Sequence, residues 1–277
     1  WGRRAFFCDL AVLVLGGAYG ARTWVRNPVW RSTLALFQAH VSIVPSSVRM
    51  HHGLALELAR SNKHADALPH FRTALRLLRD EEYAVGLRPS DEHADQREGA
   101  VSHNHTVAQY LFETGTSLIE LETEQARREA IVHFSEAVLL DPGEYKMHNR
   151  LAFAHVQSRD YHKGFKHFLA CYIMRPTAPD MVNNLGNIYM ATGKLTLAIR
   201  AYRLAARLAP KEADTLFNLG VLLLRVSAAE RSPPRGWTLA RDAAHCLARA
   251  ARLRPGDRQL ADAAAHARQA LAARVAT

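Results

Sequence analysis

Residues 179–212 read PDMVNNLGNIYMATGKLTLAIRAYRLAARLAPKE, and this stretch sets the reading of everything around it. Leu185, Gly186 and Tyr189 mark its first half, and Ala198, Tyr202, Ala205 and Pro210 mark its second. A step of 34 residues toward the amino terminus lands on Gly164, Phe168, Cys171 and Pro176. A further 34 lands on Ala130, Phe134, Ala137 and Pro142. In the other direction, Leu219, Gly220 and Leu223 repeat the first-half mark. Small, aromatic, small and proline at fixed offsets, three times in register, is an internal repeat.

Each position has a physical reason. The small residue early in the second helix lets the paired helix approach closely, and the aromatic four positions on fills the gap. The second small residue makes room for the next unit, and proline ends the helix because it cannot donate or continue. A 34-residue unit with this pattern is the tetratricopeptide signature of helix, turn, helix. The fold class expected is therefore all-α: a right-handed tetratricopeptide superhelix, or α-solenoid, preceded by one transmembrane helix. Such an array has no single core, and each unit buries its faces against neighbours. First helices should line a concave groove and second helices the outer wall.

The outer units are placed by the same anchors. Ala67, Phe71 and Ala74 match Ala130, Phe134 and Ala137 at a step of 63, one repeat plus 29 residues. Ala243, Leu247, Ala250 and Pro255 follow at a step of 45, one repeat plus 11. The predicted organisation is an incomplete repeat over 28–47, with Phe37 and Pro45 in the aromatic and terminal places, then a repeat at 48–81. A polar insert occupies 82–105, followed by repeats at 106–144, 145–178 and 179–212. The last repeat, 213–256, carries an inserted loop at 225–237, where Pro-Pro and Gly mark a break, and 257–277 forms an Ala-rich capping helix.

The amino-terminal part, 1–27, reads differently. Residues 5–21, AFFCDLAVLVLGGAYGA, approach the ~17-residue lower limit for crossing a hydrocarbon core. Trp1, Phe6, Phe7, Tyr19 and Trp24 cluster near the ends of this segment as interfacial anchors do. Asp9 within it is costly in lipid and suggests a face turned toward other helices. The chain begins at Trp1, so it reads as the carboxy-terminal piece of a longer protein.

Charge and composition exclude more than they assign. The formal charge is +10, from six Lys and thirty Arg against 26 acids. The arginines are scattered at helical spacing, as in Arg72, Arg76 and Arg79, which reads as a solvated helix face. Aromatic residues are not interleaved with basic ones as a nucleic-acid groove requires, so no nucleic-acid partner is expected. Cys8, Cys171 and Cys246 make neither a disulfide framework nor a metal spacing. His103 and His105 form an HxH, and His51, His52, His162 and His167 sit on helices, but none gains a third ligand at convincing spacing. No metal is expected. No phosphate loop, GxSxG, HExxH or paired-carboxylate motif occurs, and Asp141, Asp160 and Asp180 fall in turns where Asp is ordinary. No catalytic residue is expected in this chain.

The candidate binding residues are those that first helices turn to the groove. They are Asn149, Arg150 and Phe153, then Asn183, Asn184, Asn187 and Met190, then Phe217, Asn218 and Arg225. Asn184 and Asn218 hold the same place one repeat apart. A carboxamide both donates and accepts, so stacked asparagines can pair with a peptide backbone whatever its sequence. Phe153, Met190 and Phe217 add apolar area. The alternative role for these asparagines is bonding within the repeat. The Lys-containing clamp by which some tetratricopeptide domains grip a terminal carboxylate is absent, since Asn149, Asn183 and Phe217 occupy its place. Asn104-His105-Thr106 is an N-glycosylation acceptor pattern inside the polar insert.

The junction RTWVRNPVWRSTLALFQAHVSIVPSSVRMHHGL, residues 22–54, adds a family resemblance. A membrane helix, then Arg22-Thr23, Arg26-Asn27, Trp30, Leu36-Phe37, Pro45 and a first repeat, resembles the transmembrane-and-tetratricopeptide-repeat protein O-mannosyltransferases. The resemblance implies a polytopic catalytic half upstream, using dolichyl-phosphate-mannose as donor, with the repeats in the endoplasmic reticulum lumen. It implies acceptor polypeptides of the cadherin-like kind, and it places the family's catalytic carboxylates where this chain has no corresponding position. The function expected is a protein-binding array that presents acceptor polypeptides to that membrane half. The alternative is a membrane-tethered scaffold with no enzyme attached.

Overall fold

The structure, a computed structural model, describes residues 32–85 and 94–275, and the side chains of 81–101 are not described. Residues 5–21 and the junction from Arg22 to Arg31 lie outside the described residues, so the expected membrane span is not placed. Among the described residues no helix is long and apolar enough to cross a membrane.

Twelve α-helices account for the described chain. The first five are α1 (Thr33–Ile43), α2 (Val48–Arg60), α3 (His64–Val85), α4 (Ala94–Ile119) and α5 (Glu124–Leu140). Then follow α6 (Tyr145–Gln157), α7 (Tyr161–Met174), α8 (Pro179–Ala191), α9 (Leu195–Leu208), α10 (Ala213–Ala229), α11 (Pro233–Leu253) and α12 (Arg258–Val275). They pack as two units, one ending at Pro142 and one starting at Gly143. From α2 to α11, even-numbered helices are the first members of hairpins and odd-numbered ones the second, while α1 packs on α2 and α12 on α11.

The repeat anchors form the core of every hairpin. Ala67, Ala130, Ala198 and Ala243 are fully buried, as are Ala74, Ala137, Cys171, Ala205 and Ala250 about two turns further on. Between them sit Phe71, Phe134, Phe168, Tyr202 and Leu247, none more than 1% exposed. Each large side chain faces a small residue on its partner helix. A methyl added at Gly115 would lie 2.7 Å from the Phe134 ring, at Gly186 2.6 Å from Tyr202, and at Gly220 2.5 Å from Leu247. Phe37 of α1 occupies the space beside Gly53, so the incomplete unit docks on α2 through the same device.

The turns inside four hairpins also share a conformation. Asn62, Glu122, Arg159 and Gly193 all have positive φ, between 55° and 76°. Only Gly193 is the residue that takes this region without a Cβ penalty. Two second helices start on capped ends: at α5 the Thr123 hydroxyl accepts from the Ala126 N–H at 3.1 Å, and at α7 the Asp160 carboxylate accepts from the Lys163 N–H at 3.2 Å. Pro142, Pro176, Pro210 and Pro255 each stand two residues beyond the end of a second helix.

Both inserts depart from expectation. The loop expected at 225–237 is largely helix: α10 runs to Ala229 and α11 begins at Pro233, leaving three residues between them. Pro-Pro is a helix start here, because a proline in the first turn lacks only an N–H that would be unpaired anyway. Leu222, Leu223 and Ser227 continue the buried face of α10, and the Arg274 guanidinium of α12 donates to the Ser227 carbonyl. The polar insert at 82–105 is likewise entered by helix from both sides, with α3 reaching Val85 and α4 starting at Ala94. No proline interrupts 94–105, so the turn nucleated around buried Val107, Ala108 and Leu111 propagates backward.

Two of the expected solvated arginines are paired. Arg72 of α3 meets Glu129 of α5 at 2.6 Å, and Arg79 meets Glu136 seven residues on. These half-exposed pairs are worth a few tenths of a kcal/mol each and register one second helix on the next.

A contact between the two helices of one hairpin recurs in both units. His51 and His70 approach through their Nδ1 atoms at 3.1 Å, and so do His148 and His167. One ring must donate and the other accept, so the contact needs at least one neutral ring. The His51 Nε2–H donates to the Pro45 carbonyl at 3.0 Å, which leaves neutral His51 accepting at Nδ1 and His70 donating. His167 is also stacked on His155, with ring centroids 5.9 Å apart. Burial, then the charges of His148, His155 and Lys166, pull the His167 pKa down to about 4. Burial and His51 lower that of His70.

Two predictions follow from this packing. Gly186→Ala gains about 1 kcal/mol of helix propensity but forces the Tyr202 ring aside at a cost of ~1–3 kcal/mol. A net loss of about 1 kcal/mol in urea unfolding is expected, and Tyr202→Ala should lose ~3 kcal/mol or more. An unchanged midpoint for both would contradict the hairpin packing. For the histidines, a folded pKa below the unfolded 6.5 means the neutral form is favoured by folding, so stability is complete above pH 6.5 and drains as pH falls toward 4. His167→Gln should flatten the pH dependence of the melting temperature in that window, by on the order of 1 kcal/mol. Parallel wild-type and variant profiles would refute it.

Candidate functional site

The first helices of the second unit are α6, α8 and α10. Helix α8 buries Met181, Val182, Leu185, Gly186 and Ile188, which places Asn183 and Asn187, one turn apart, along a different edge. Asn218 reaches them from α10. Its Nδ2 donates to the Asn183 Oδ1 at 3.3 Å and to the Asn187 Oδ1 at 3.5 Å. The buried Tyr202 hydroxyl donates to the same Asn187 oxygen at 2.7 Å, from the second helix of the hairpin. Burial pushes the Tyr202 pKa up to about 12, opposed in part by the Arg225 charge, so the phenol stays a donor across the physiological range.

These bonds use only part of the network's capacity. Among the described residues, nothing bonds the Nδ2 groups of Asn183 and Asn187 or the Oδ1 of Asn218. Two donors and one acceptor are thus held by a fixed scaffold and open to a ligand. All three asparagines are half-buried, which limits competition from water.

The expected residues divide into those the structure brings together and those it does not. Asn183, Asn187 and Asn218 converge, with Met190 beside them, its sulfur 4.0 Å from the Tyr202 hydroxyl. Exposed Arg225 lies within electrostatic reach of Tyr202. Asn184 and Asn218, which share a place one repeat apart, do not bond each other; Asn218 bonds Asn183 and Asn187, 35 and 31 positions back. Asn184 stays half-buried without a side-chain hydrogen bond among the described residues. Phe217 packs half-buried against side chains of α11 and α12 rather than standing open. On α6, Arg150 is exposed, and Phe153 is 41% exposed with its ring edge-on to Phe168 at 5.1 Å. The Oδ1 of Asn149 is buried and has no hydrogen-bond partner among the described residues.

Tyr202 is the network member that sequence reasoning missed. The signal was present: the aromatic place holds Phe in the preceding units and Tyr here, and a buried hydroxyl demands an acceptor. The remaining expectations fall elsewhere. His105 pairs with Asp141 at 2.7 Å and His52 with Glu113, with His52 stacked on Tyr110 at 3.7 Å. Among the described residues no three His, Cys, Asp or Glu side chains converge as a metal site. Asn104 sits half-buried within α4, in a continuous helix and not in a loop.

Comparison with known proteins supports the fold. Residues 186–226 match the family described as TPR repeat. No curated protein matches the chain in sequence. Among solved structures, YrrB, described as a TPR protein with an unusual peptide-binding site, is 17% identical at a TM-score of 0.55, covering 84% of this chain and 97% of that one. MamA from Desulfovibrio magneticus RS-1 is 16% identical at 0.55, covering 73% and 93%. The Cut9–Hcn1 complex of the APC/C is 15% identical at 0.52, covering 83% and 38%. At these identities the likeness establishes the fold, a tetratricopeptide-repeat helical array.

Proposed function

We propose that the second unit binds an extended polypeptide along α6, α8 and α10, with the Asn183–Asn187–Asn218 network contacting its backbone. The observation that carries this reading is the set of unused carboxamide groups, fixed in place by Tyr202 and by one another. Two donors and an acceptor match the alternating N–H and C=O groups of an extended strand and select for backbone, not sequence. Exposed Phe153 offers an apolar contact on the neighbouring first helix, and Arg150 and Arg225 favour acidic flanks. The description of YrrB as peptide-binding lends support by analogy of fold.

The resemblance at residues 22–54 extends the proposal. In it, the array stands in the endoplasmic reticulum lumen, tethered by residues 5–21, and presents acceptor polypeptides to an upstream O-mannosyltransferase half that uses dolichyl-phosphate-mannose. This chain then supplies binding and no catalytic residue. A tethered scaffold without an enzyme would use the same surface. Reading the upstream frame separates the two: several further membrane spans with an acidic lumenal loop support the transferase, and their absence supports the scaffold.

The binding claim is tested with a fluorescein-labelled, Ser/Thr-bearing peptide from a cadherin-like strand. Asn183→Ala combined with Asn218→Ala removes hydrogen bonds worth ~0.5–1.5 kcal/mol each, so affinity should fall about tenfold with little change in melting temperature. Equal affinity of the variant and the parent would remove the asparagine surface from consideration.

A further inference from the structure

The second unit carries another surface, between its second helices. Arg200, Arg203 and Arg207 form a stripe along α9, and Arg249 faces them from α11, around an open pocket of about 630 Å³. The floor is apolar, made by Leu204, Leu216, Leu219 and Cys246. Charge on the rim is poorly balanced. Arg203 has Asp242 at 3.5 Å, but Arg241 shares that carboxylate at 3.4 Å. Arg249 donates to the Pro210 carbonyl at 2.9 Å. Among the described residues no carboxylate lies at ion-pair distance from Arg200, Arg207 or Arg249.

The first unit carries a related register with a different charge balance. Counting from the aromatic anchors, Arg72 and Arg203 each follow the anchor by one residue, and Arg76 and Arg207 by five. Glu129 and Asp242 each precede the next anchor by five residues. The units diverge at the place two residues after that anchor: Glu136 stands there in the first unit and Arg249 in the second. In the first unit the second helix α5 thus supplies two carboxylates seven residues apart, paired with Arg72 and Arg79, and the place of Arg79 is held by Pro210 in the second unit. In the second unit one carboxylate is replaced by a fourth guanidinium, and the space between the helices stays open.

We infer that this pocket docks an acidic amphipathic helix from a partner protein, with a leucine-type side chain on the apolar floor and carboxylates on the arginine rim. The partner's acids pair with Arg200, Arg207 and Arg249, from which no carboxylate lies at ion-pair distance among the described residues. A peptide fits better than a bare anion because the pocket's lower half is hydrocarbon, which offers an inorganic ion nothing for its lost hydration. Opposed charge on the rim steers encounter, and the buried leucine sets residence time. The site stands apart from the asparagine network, and its occupancy does not depend on that network's role.

The test uses the full chain and a short labelled helix-forming peptide with Glu at seven-residue spacing flanking leucines. Two control peptides carry Glu→Gln or Leu→Ser changes. At low ionic strength the Glu/Leu peptide should bind, and R200E with R207E should weaken it at least about tenfold while Asn218→Ala leaves it unchanged. A Lys-for-Glu peptide should recover binding to the charge-reversed variant, which separates charge pairing from misfolding. The inference is overturned if the Glu/Leu peptide does not bind, or if the arginine variant binds it as well as the parent. Equal binding of the Leu→Ser peptide also overturns it, as does equal competition by inorganic phosphate or by phosphatidylserine vesicles.

Discussion

The fold depends on one contact repeated along the chain: a large side chain of each second helix pressed onto a glycine or alanine of its partner helix. Phe71, Phe134, Phe168, Tyr202 and Leu247 are each almost wholly buried, and the residues opposite them lack the bulk to hold the helices apart. Close-packed interiors do not absorb an extra methylene without shifting neighbours, so this spacing fixes the distance and roll of every hairpin. The alanines before and after each anchor then set how one hairpin meets the next.

Tyr202 ties that packing to the candidate binding surface. Its ring fills the space beside Gly186 as part of the core, and its hydroxyl emerges to orient Asn187. A polar network attached to a rigid core loses little entropy when it takes a ligand, which is the general route to useful affinity from few contacts. The same unit leaves Arg200 and Arg207 on α9 and Arg249 on α11 without a carboxylate at ion-pair distance among the described residues. The two surfaces use different chemistry, backbone amides on one and charge with hydrocarbon on the other, so they suit different partners.

The sequence made the repeat legible because steric requirements recur at a fixed interval and leave few acceptable residues. Ala130, Phe134 and Ala137, and their counterparts at 198, 202 and 205, all fell in the core as their spacing predicted. The inserts were misjudged where composition stood in for geometry. Pro233-Pro234 signals a break when read alone, but after Ser232 it opens a helix. Polarity at 94–105 suggested a loop, whereas nothing in that stretch forbids helix once α4 is nucleated. In the candidate site, the period puts the asparagines on the first helices, but it does not give their pairing: which side chains meet across neighbouring helices, as Asn218 meets Asn183 and Asn187, is a tertiary quantity. Arginine pairing was hidden for the same reason, since Arg72 and Glu129 are 57 residues apart.

The most direct measurement is the side-chain amide spectrum of the chain labelled with ¹⁵N only at asparagine, recorded as an extended peptide is added. The account predicts that the carboxamide signals of Asn183, Asn187 and Asn218 move together and saturate with one binding curve, while those of Asn62 and Asn104 stay in place. Peptide binding that leaves those three signals unmoved would contradict it.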